Sequence, residues 1–318
     1  MFMKNSTKIL LEIYELISSP DIQDSKKILN ILMNCVFSLS IKHHTDAMDF
    51  DEQKYAKIIS QMIFTKLYNI RENLKGINFS NDEFRLKKEI IDTNIVANNI
   101  RNLFETVCLF NNFFIQSDNK EELLLKLRVW EFSSLKYRLK LNNQTINQQQ
   151  RLLLENDEHR ARIIKSDIQN SQIYIELDEN NQKRIQSILK RKDYKFSLDK
   201  GQVKVYDWQM LADNLPDTNK LIPSLYMILS FYSHPTWKSI YDFGNSFKEE
   251  KFWVQNVQDL LKYAYILSSV FIIDYINYFP KSKESFNNMK QFDSCLIEFY
   301  NNMVRGEEYL LDKKRFKN

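Results

Sequence analysis

Apolar residues recur at three- and four-residue spacing along most of this chain, and short polar breaks divide the pattern into helical segments. Residues 7–19 and 24–43 read as two amphipathic helices parted by Ser19-Pro20-Asp21, a stop followed by a new start. A third helix covers about 50–74 and ends at Gly76. Asn81 and Asp82 are expected to cap a long helix running to about Ile115, with Ser117-Asp118-Asn119 as the next break. Another helix is predicted from Lys120 to about Leu141.

From Gln144 to Lys192 the character changes. The segment is rich in Gln, Asn, Glu and Arg, with sparse apolar residues such as Leu152, Ile163, Ile175, Ile185 and Leu189. So narrow an apolar stripe predicts a helical arm that projects from the body or folds into a hairpin. Residues 194–206 alternate around Asp199-Lys200-Gly201, which predicts one small β-hairpin. Helices resume at Trp208 and near Asp217, with Pro223 in or near the first turn of the latter and Pro235 at its end. Further helices are expected over 236–244, 250–279 and 283–311, followed by a basic tail of Lys313, Lys314, Arg315 and Lys317. With no internal repeat and no linker rich in Gly, Ser or Pro, the prediction is a single all-α domain. Residues 1–80 would form N-terminal helices, 81–143 and 207–311 a core bundle, and 144–206 the arm with its hairpin.

Composition supports this class. Only four glycines and five prolines occur in 318 residues, too few for turn-rich β architectures. Hydrophobic residues make up 43% and aromatics 13%, enough for a substantial core. Tyr263–Ile273, the most apolar stretch, is too short to span a bilayer, so no membrane insertion is expected. The N-terminal apolar run is interrupted by Glu12 and Glu15 at helical spacing, as in an amphipathic helix rather than a signal peptide. Cys35, Cys108 and Cys295 lie far apart in apolar helical contexts, which excludes a disulfide framework and points to a reducing cytoplasm. The abundance of Asn, Lys and Ile suggests an AT-rich, bacterial genome.

Candidate chemistry lies in a few polar groups set in apolar helices. Arg101 and Glu105 are one turn apart on one helix face. Tyr226, Ser230 and His234 fall at i, i+4 and i+8, a polar stripe expected to face the interior or a cleft. A histidine near a carboxylate and a guanidinium suits acid–base chemistry on a phosphodiester. The structural alternative is an ion pair and a capping histidine. Tyr137 and Arg138 are further polar groups of the segment 130–138. His43 and His44 point about 100° apart on a helix, so the acidic stretch beside them (Asp46, Asp49, Asp51 and Glu52) reads as a solvated loop rather than a metal site. His159 reads as exposed among Glu158, Arg160 and Arg162. No Gly-rich phosphate loop, HExxH, GxSxG or paired cysteines occur, and no cofactor or metal is expected. Arg184, Lys190, Arg191 and Lys192, with Lys183 and Lys195, are candidate phosphate contacts beside the stacking rings Tyr194 and Phe196, although a solvated face accounts for the same charges.

The pairing of Arg101-x3-Glu105 with Tyr226-x3-Ser230-x3-His234 resembles a group of uncharacterised bacterial helical proteins near the HEPN superfamily, over roughly residues 90–245. Members of that superfamily are often ribonucleases or nucleotide-binding helical bundles of toxin–antitoxin and anti-phage systems. The resemblance implies an HEPN-like bundle acting on RNA or a nucleotide within a bacterial defence or stress module. Its polar centre would comprise Arg101, Glu105, Ser230 and His234, with Tyr226 beside it. His234 would serve as acid/base, Arg101 as the phosphate-side cation and Glu105 as the group orienting one of them. The usual ribonuclease signature of that superfamily, an arginine four to six residues before a histidine, is absent. The alternative is a non-catalytic binding or scaffold protein whose polar centre fixes helix register and whose 144–192 arm engages a protein partner or a second copy.

Overall fold

A computed structural model describes residues 2–79, 83, 88–140, 147–248, 250–309 and 311. The caps expected at Asn81 and Asp82, the helix end at Leu141 and the basic tail at 313–317 lie outside the described residues. The chain divides into two compact units, one built from Met1–Phe110 with Ala212–Asn318 and the other from Asn111–Leu211.

The first unit opens with α1 (Phe2–Ser18) and α2 (Ile22–Lys42). The Asp21 carboxylate caps α2 by accepting from Gln23 N at 2.8 Å. A short 3-10 turn at Asp51–Gln53 leads into α3 (Lys54–Asn73). The long helix expected from residue 81 starts later. Two short strands, β1 (Ile77–Phe79) and β2 (Lys88–Ile90), pair antiparallel first, and α4 runs only over Thr93–Phe110. Asp92 supplies the cap, its Oδ1 accepting from Asn94 N at 2.9 Å. A capping carboxylate and two buried isoleucines, Ile90 and Ile91, thus mark the true boundary.

The return half holds α10 (Leu221–Ser233), α11 (Trp237–Ser246), α12 (Glu250–Tyr278), α13 (Ser282–Asn287) and α14 (Gln291–Arg305). The single helix predicted over 283–311 is two helices, because Lys290 turns extended before α14 and Gly306, at φ 82°, ends it. α12 is the centre of the unit. Every residue from Ala264 to Ile276 is buried, and its neighbours include α2, α4, α11 and α14. A helix apolar on all sides stays in water only when others surround it. Among the described residues no helix is long and apolar enough to cross a membrane.

The second unit begins with a π-helical turn at Asn111–Ile115 and continues through α5 (Lys120–Arg138), α6 (Gln148–Gln169), α7 (Gln172–Ile175) and α8 (Glu179–Arg191). A hairpin follows, β3 (Phe196–Asp199) with β4 (Gln202–Val205), leading to the start of α9 (Trp208–Asp213). Its turn residues Lys200 and Gly201 both have positive φ, as a two-residue hairpin loop demands. The hairpin is the one the alternation predicts. Of the two forms expected for the polar segment, α6 takes the folded-back one. α6 packs along α5, and Ala161, Ile164, Ile168, Ile185, Ile188 and Leu189 share a core with Val129, Phe132, Phe196 and Val203. Three residues per helix suffice here, because each narrow stripe meets another element in place of solvent.

One polar core holds this unit together. Glu122 and Lys126 form a buried ion pair at 2.8 Å, one turn apart on α5. Glu122 also accepts from Asp118 N and Leu198 N, while Lys126 donates to Asn112 O at 2.8 Å and Ser117 Oγ at 3.1 Å. Burial pushes the Lys126 ammonium below its ordinary value, against the attraction of Glu122. The first unit has its own pair: Arg305 holds Asp274 through two bonds of 2.6 and 2.8 Å with both side chains buried.

Candidate functional site

The polar centre expected on α4 and α10 forms in part. Arg101 Nε donates to Glu105 Oε1 at 3.1 Å, and Arg101 Nη2 donates to the Tyr226 hydroxyl at 3.2 Å. The guanidinium also lies 5.1 Å from the centroid of the Tyr226 ring, which packs on Phe104. Lys66 of α3 adds a second cation, bonded to Asn102 Oδ1 and held below its usual lysine range first by desolvation, which the nearby Glu105 opposes. Arg101 and Glu105 keep 20% and 30% of their side-chain surface, so the centre is half-exposed rather than buried.

Ser230 and His234 do not complete the stripe. Ser230 donates its hydroxyl to Tyr226 O one turn back, at 2.7 Å, which occupies it within its own helix. His234 lies beyond the end of α10 in extended conformation (φ −122°, ψ 153°), because Pro235 disfavours helical geometry in the residue before it. It is exposed, its carbonyl accepts from Thr236 N and Ser239 Oγ, and among the described residues nothing hydrogen-bonds to its ring. The helical periodicity that aligned Tyr226, Ser230 and His234 therefore stops one residue before the histidine. Replacing Arg101 with alanine is expected to cost about 1 kcal/mol or less, as for other part-exposed pairs, and a shift in urea midpoint reads it directly.

A different constellation appears in the second unit. A groove of about 630 Å³ runs between α5, α6 and α8 and is lined by Lys136, Arg162, Lys165, Lys190 and Lys192 around the apolar residues Phe132, Leu139, Ala161 and Leu189. One carboxylate, Glu158, shares the lining. None of the five cations takes part in a salt bridge among the described residues, while nearby surface charges are consumed in pairs, Arg138 with Asp157 and Arg160 with Glu131. Lys192 sits at the end of α8 in left-handed conformation (φ 61°), a backbone choice that is rare without glycine. Its ammonium is held below the ordinary lysine value by desolvation, by Lys140 alongside it and by Lys136. Adjacent like charges with no counter-ion cost free energy unless an anion relieves them.

The groove accounts for two of the four predicted phosphate contacts, Lys190 and Lys192. Arg184 points elsewhere, donating to Val203 O at 2.9 Å, and Arg191 is exposed outside the lining. The contributions of Lys136, Arg162 and Lys165 were not singled out from the sequence. They were visible only as helix-spaced cations, Lys136 with Lys140 and Arg162 with Lys165, among acidic neighbours of which Asp157 and Glu131 pair with other arginines and Glu158 joins the lining. Charge is also partitioned between the units: residues 111–211 carry 18 Lys and Arg against 14 Asp and Glu, which is the whole of the chain's +4. Among the described residues no group of three or more His, Cys, Asp or Glu side chains is placed to hold a metal ion. No protein-family model, curated protein or solved structure matches the chain.

Proposed function

We propose that the chain is an RNA-binding protein that holds phosphate groups in the groove between α5, α6 and α8. The observation that carries this reading is the set of five cations facing one groove with a single carboxylate among them. The groove volume is that of a nucleotide-sized site. Its apolar floor, formed by Phe132, Leu139, Ala161 and Leu189, offers sugar and base surface an apolar contact. The same target class follows from the HEPN-like resemblance, but the residues differ. Here the cations of the 111–211 unit bind, and Arg101, Glu105 and Tyr226 tie α4 to α10. The reading is therefore one of binding, with His234 outside it.

The test is fluorescence anisotropy with a short labelled single-stranded RNA, comparing the whole chain with a Lys165→Glu/Lys190→Glu/Lys192→Glu variant. Five phosphate contacts predict a slope of log affinity against log salt of roughly −3.5. Reversal of three of them is expected to weaken binding at least about a hundredfold and flatten the slope. Unchanged affinity in the variant, or no binding by the wild-type protein at low salt, would sink the reading. The pH response has a defined sign. Because Lys192 titrates low in the free protein and a bound phosphate raises it, affinity is full below that lowered value and falls as pH climbs through it.

A further inference from the structure

His43 closes α2 and occupies the middle of a three-residue relay that spans the first unit. Its Nδ1 lies 2.7 Å from Asp46 Oδ2, and its Nε2 lies 2.9 Å from the hydroxyl of Ser285 on α13, 242 residues away in the chain. The ring is 13% exposed. The Asp46 carboxylate is held below its usual range first by the bond to His43, with the charges of His43, Lys281 and Lys57 adding to it. An ionised Asp46 can only accept, so it fixes the proton on Nδ1 and leaves the Nε2 lone pair for the Ser285 hydroxyl. Lys57 donates to the carbonyls of His44 and Asp46 at 3.0 and 2.7 Å, which pins the turn carrying the carboxylate.

Ser285 differs from the helical serines whose hydroxyls are taken up within their own helix. Ser230, Ser268 and Ser282 each give their hydroxyl proton to a backbone carbonyl three or four residues back. Ser285 has no such bond among the described residues; its hydroxyl is half-exposed and bonded to the imidazole alone. A tie between α2 and α13 needs only one donor and one acceptor. A hydroxyl, a base and a carboxylate in this order is instead the arrangement that activates a nucleophile.

We propose that Ser285 is a base-activated nucleophile, with His43 as its general base and Asp46 as the orienting carboxylate, acting on carboxylic esters with a good leaving group. Ser285 Oγ attacks the carbonyl carbon while its proton passes to His43 Nε2. Collapse of the tetrahedral adduct breaks the bond to the leaving alcohol, which takes the proton from His43. Water, deprotonated by the same nitrogen, then cleaves the acyl-serine to the free acid and restores the hydroxyl. No electrons change hands, and water is the only co-reactant. The RNA groove takes no part in this chemistry.

The test is covalent labelling of the full-length protein with a fluorophosphonate, followed by mass-spectrometric mapping of the modified residue. Labelling of Ser285 in the wild-type protein is expected, with loss in Ser285→Ala and at least about tenfold slower labelling in His43→Gln. Ser282→Ala, a neighbouring hydroxyl bonded to backbone, is expected to label normally. Melting curves accompany each variant to show that it is folded. A folded wild-type protein that stays unmodified at Ser285 overturns the proposal without recourse to any variant. So does a folded His43→Gln protein that labels at the wild-type rate.

Discussion

Replacing Asp274 with alanine is expected to lower the unfolding free energy by about 3–5 kcal/mol, the usual cost of stranding one member of a buried ion pair. Arg305 is fully buried, and both oxygens of Asp274 answer it at 2.6 and 2.8 Å. Without them the guanidinium still approaches the Tyr309 ring, 5.2 Å from the centroid, in surroundings closed to water. Arginine does not escape by losing its proton, so the cost appears as instability. The double change Asp274→Leu/Arg305→Met is expected to recover most of the loss, since a packed apolar pair carries no desolvation cost. Urea denaturation of the three proteins measures both effects. A single-variant loss below about 1 kcal/mol would mean that the guanidinium reaches solvent after all.

Glu122→Ala is expected to be of similar size, again about 3–5 kcal/mol, but by a different route. This carboxylate neutralises Lys126 and at the same time accepts two backbone N–H groups, from Asp118 and Leu198. Its loss strands a cation and leaves buried donors without their acceptor, one of them on β3. Lys126 has an exit that Arg305 lacks, because burial already depresses its affinity for a proton. Glu122→Gln, which keeps an acceptor for the amides, is therefore expected to retain a good part of the stability that alanine loses. Hydrogen exchange at the Leu198 amide distinguishes the two, with protection lost in the alanine variant and largely kept in the glutamine variant.

Most of the helical architecture was legible because long apolar periodicities leave little freedom. α2, α3, α5 and α12 lie within a few residues of their predicted spans, and the 196–205 hairpin sits where alternation and Gly201 place it. What was misread has local causes. The long helix was expected to open near residue 81, whereas α4 opens at Thr93 with Asp92 as its cap, after a short strand pair too brief to show a period. The polar stretch 144–192 looked unable to bury itself because its stripe is narrow in sequence. Width is irrelevant once α5, α8 and the hairpin supply the facing stripes. The site was less legible than the fold. Arg101, Glu105 and Tyr226 do meet, since the i, i+4 rule fixes the first two and helix packing brings the third. His234 failed because a proline ended the helix that was meant to carry it. The groove cations come from three helices, and the relay joins residues 43 and 285. Neither convergence leaves a mark in a local window of sequence.

The unit formed by residues 111–211 is continuous in the chain, whereas its companion is assembled from segments on both sides. During synthesis the continuous unit is complete once Leu211 has emerged. The other must wait for α12 and α14, which pack on α2 and on α1. At translation rates of about 5–20 residues per second, the interval between Leu211 and Arg305 is roughly 5–20 s. Throughout it, α2 and α4 expose the apolar faces that α12 later covers. The early helices are thus the segment most in need of a chaperone in the cell, although in the finished molecule they hold some of its most deeply buried residues.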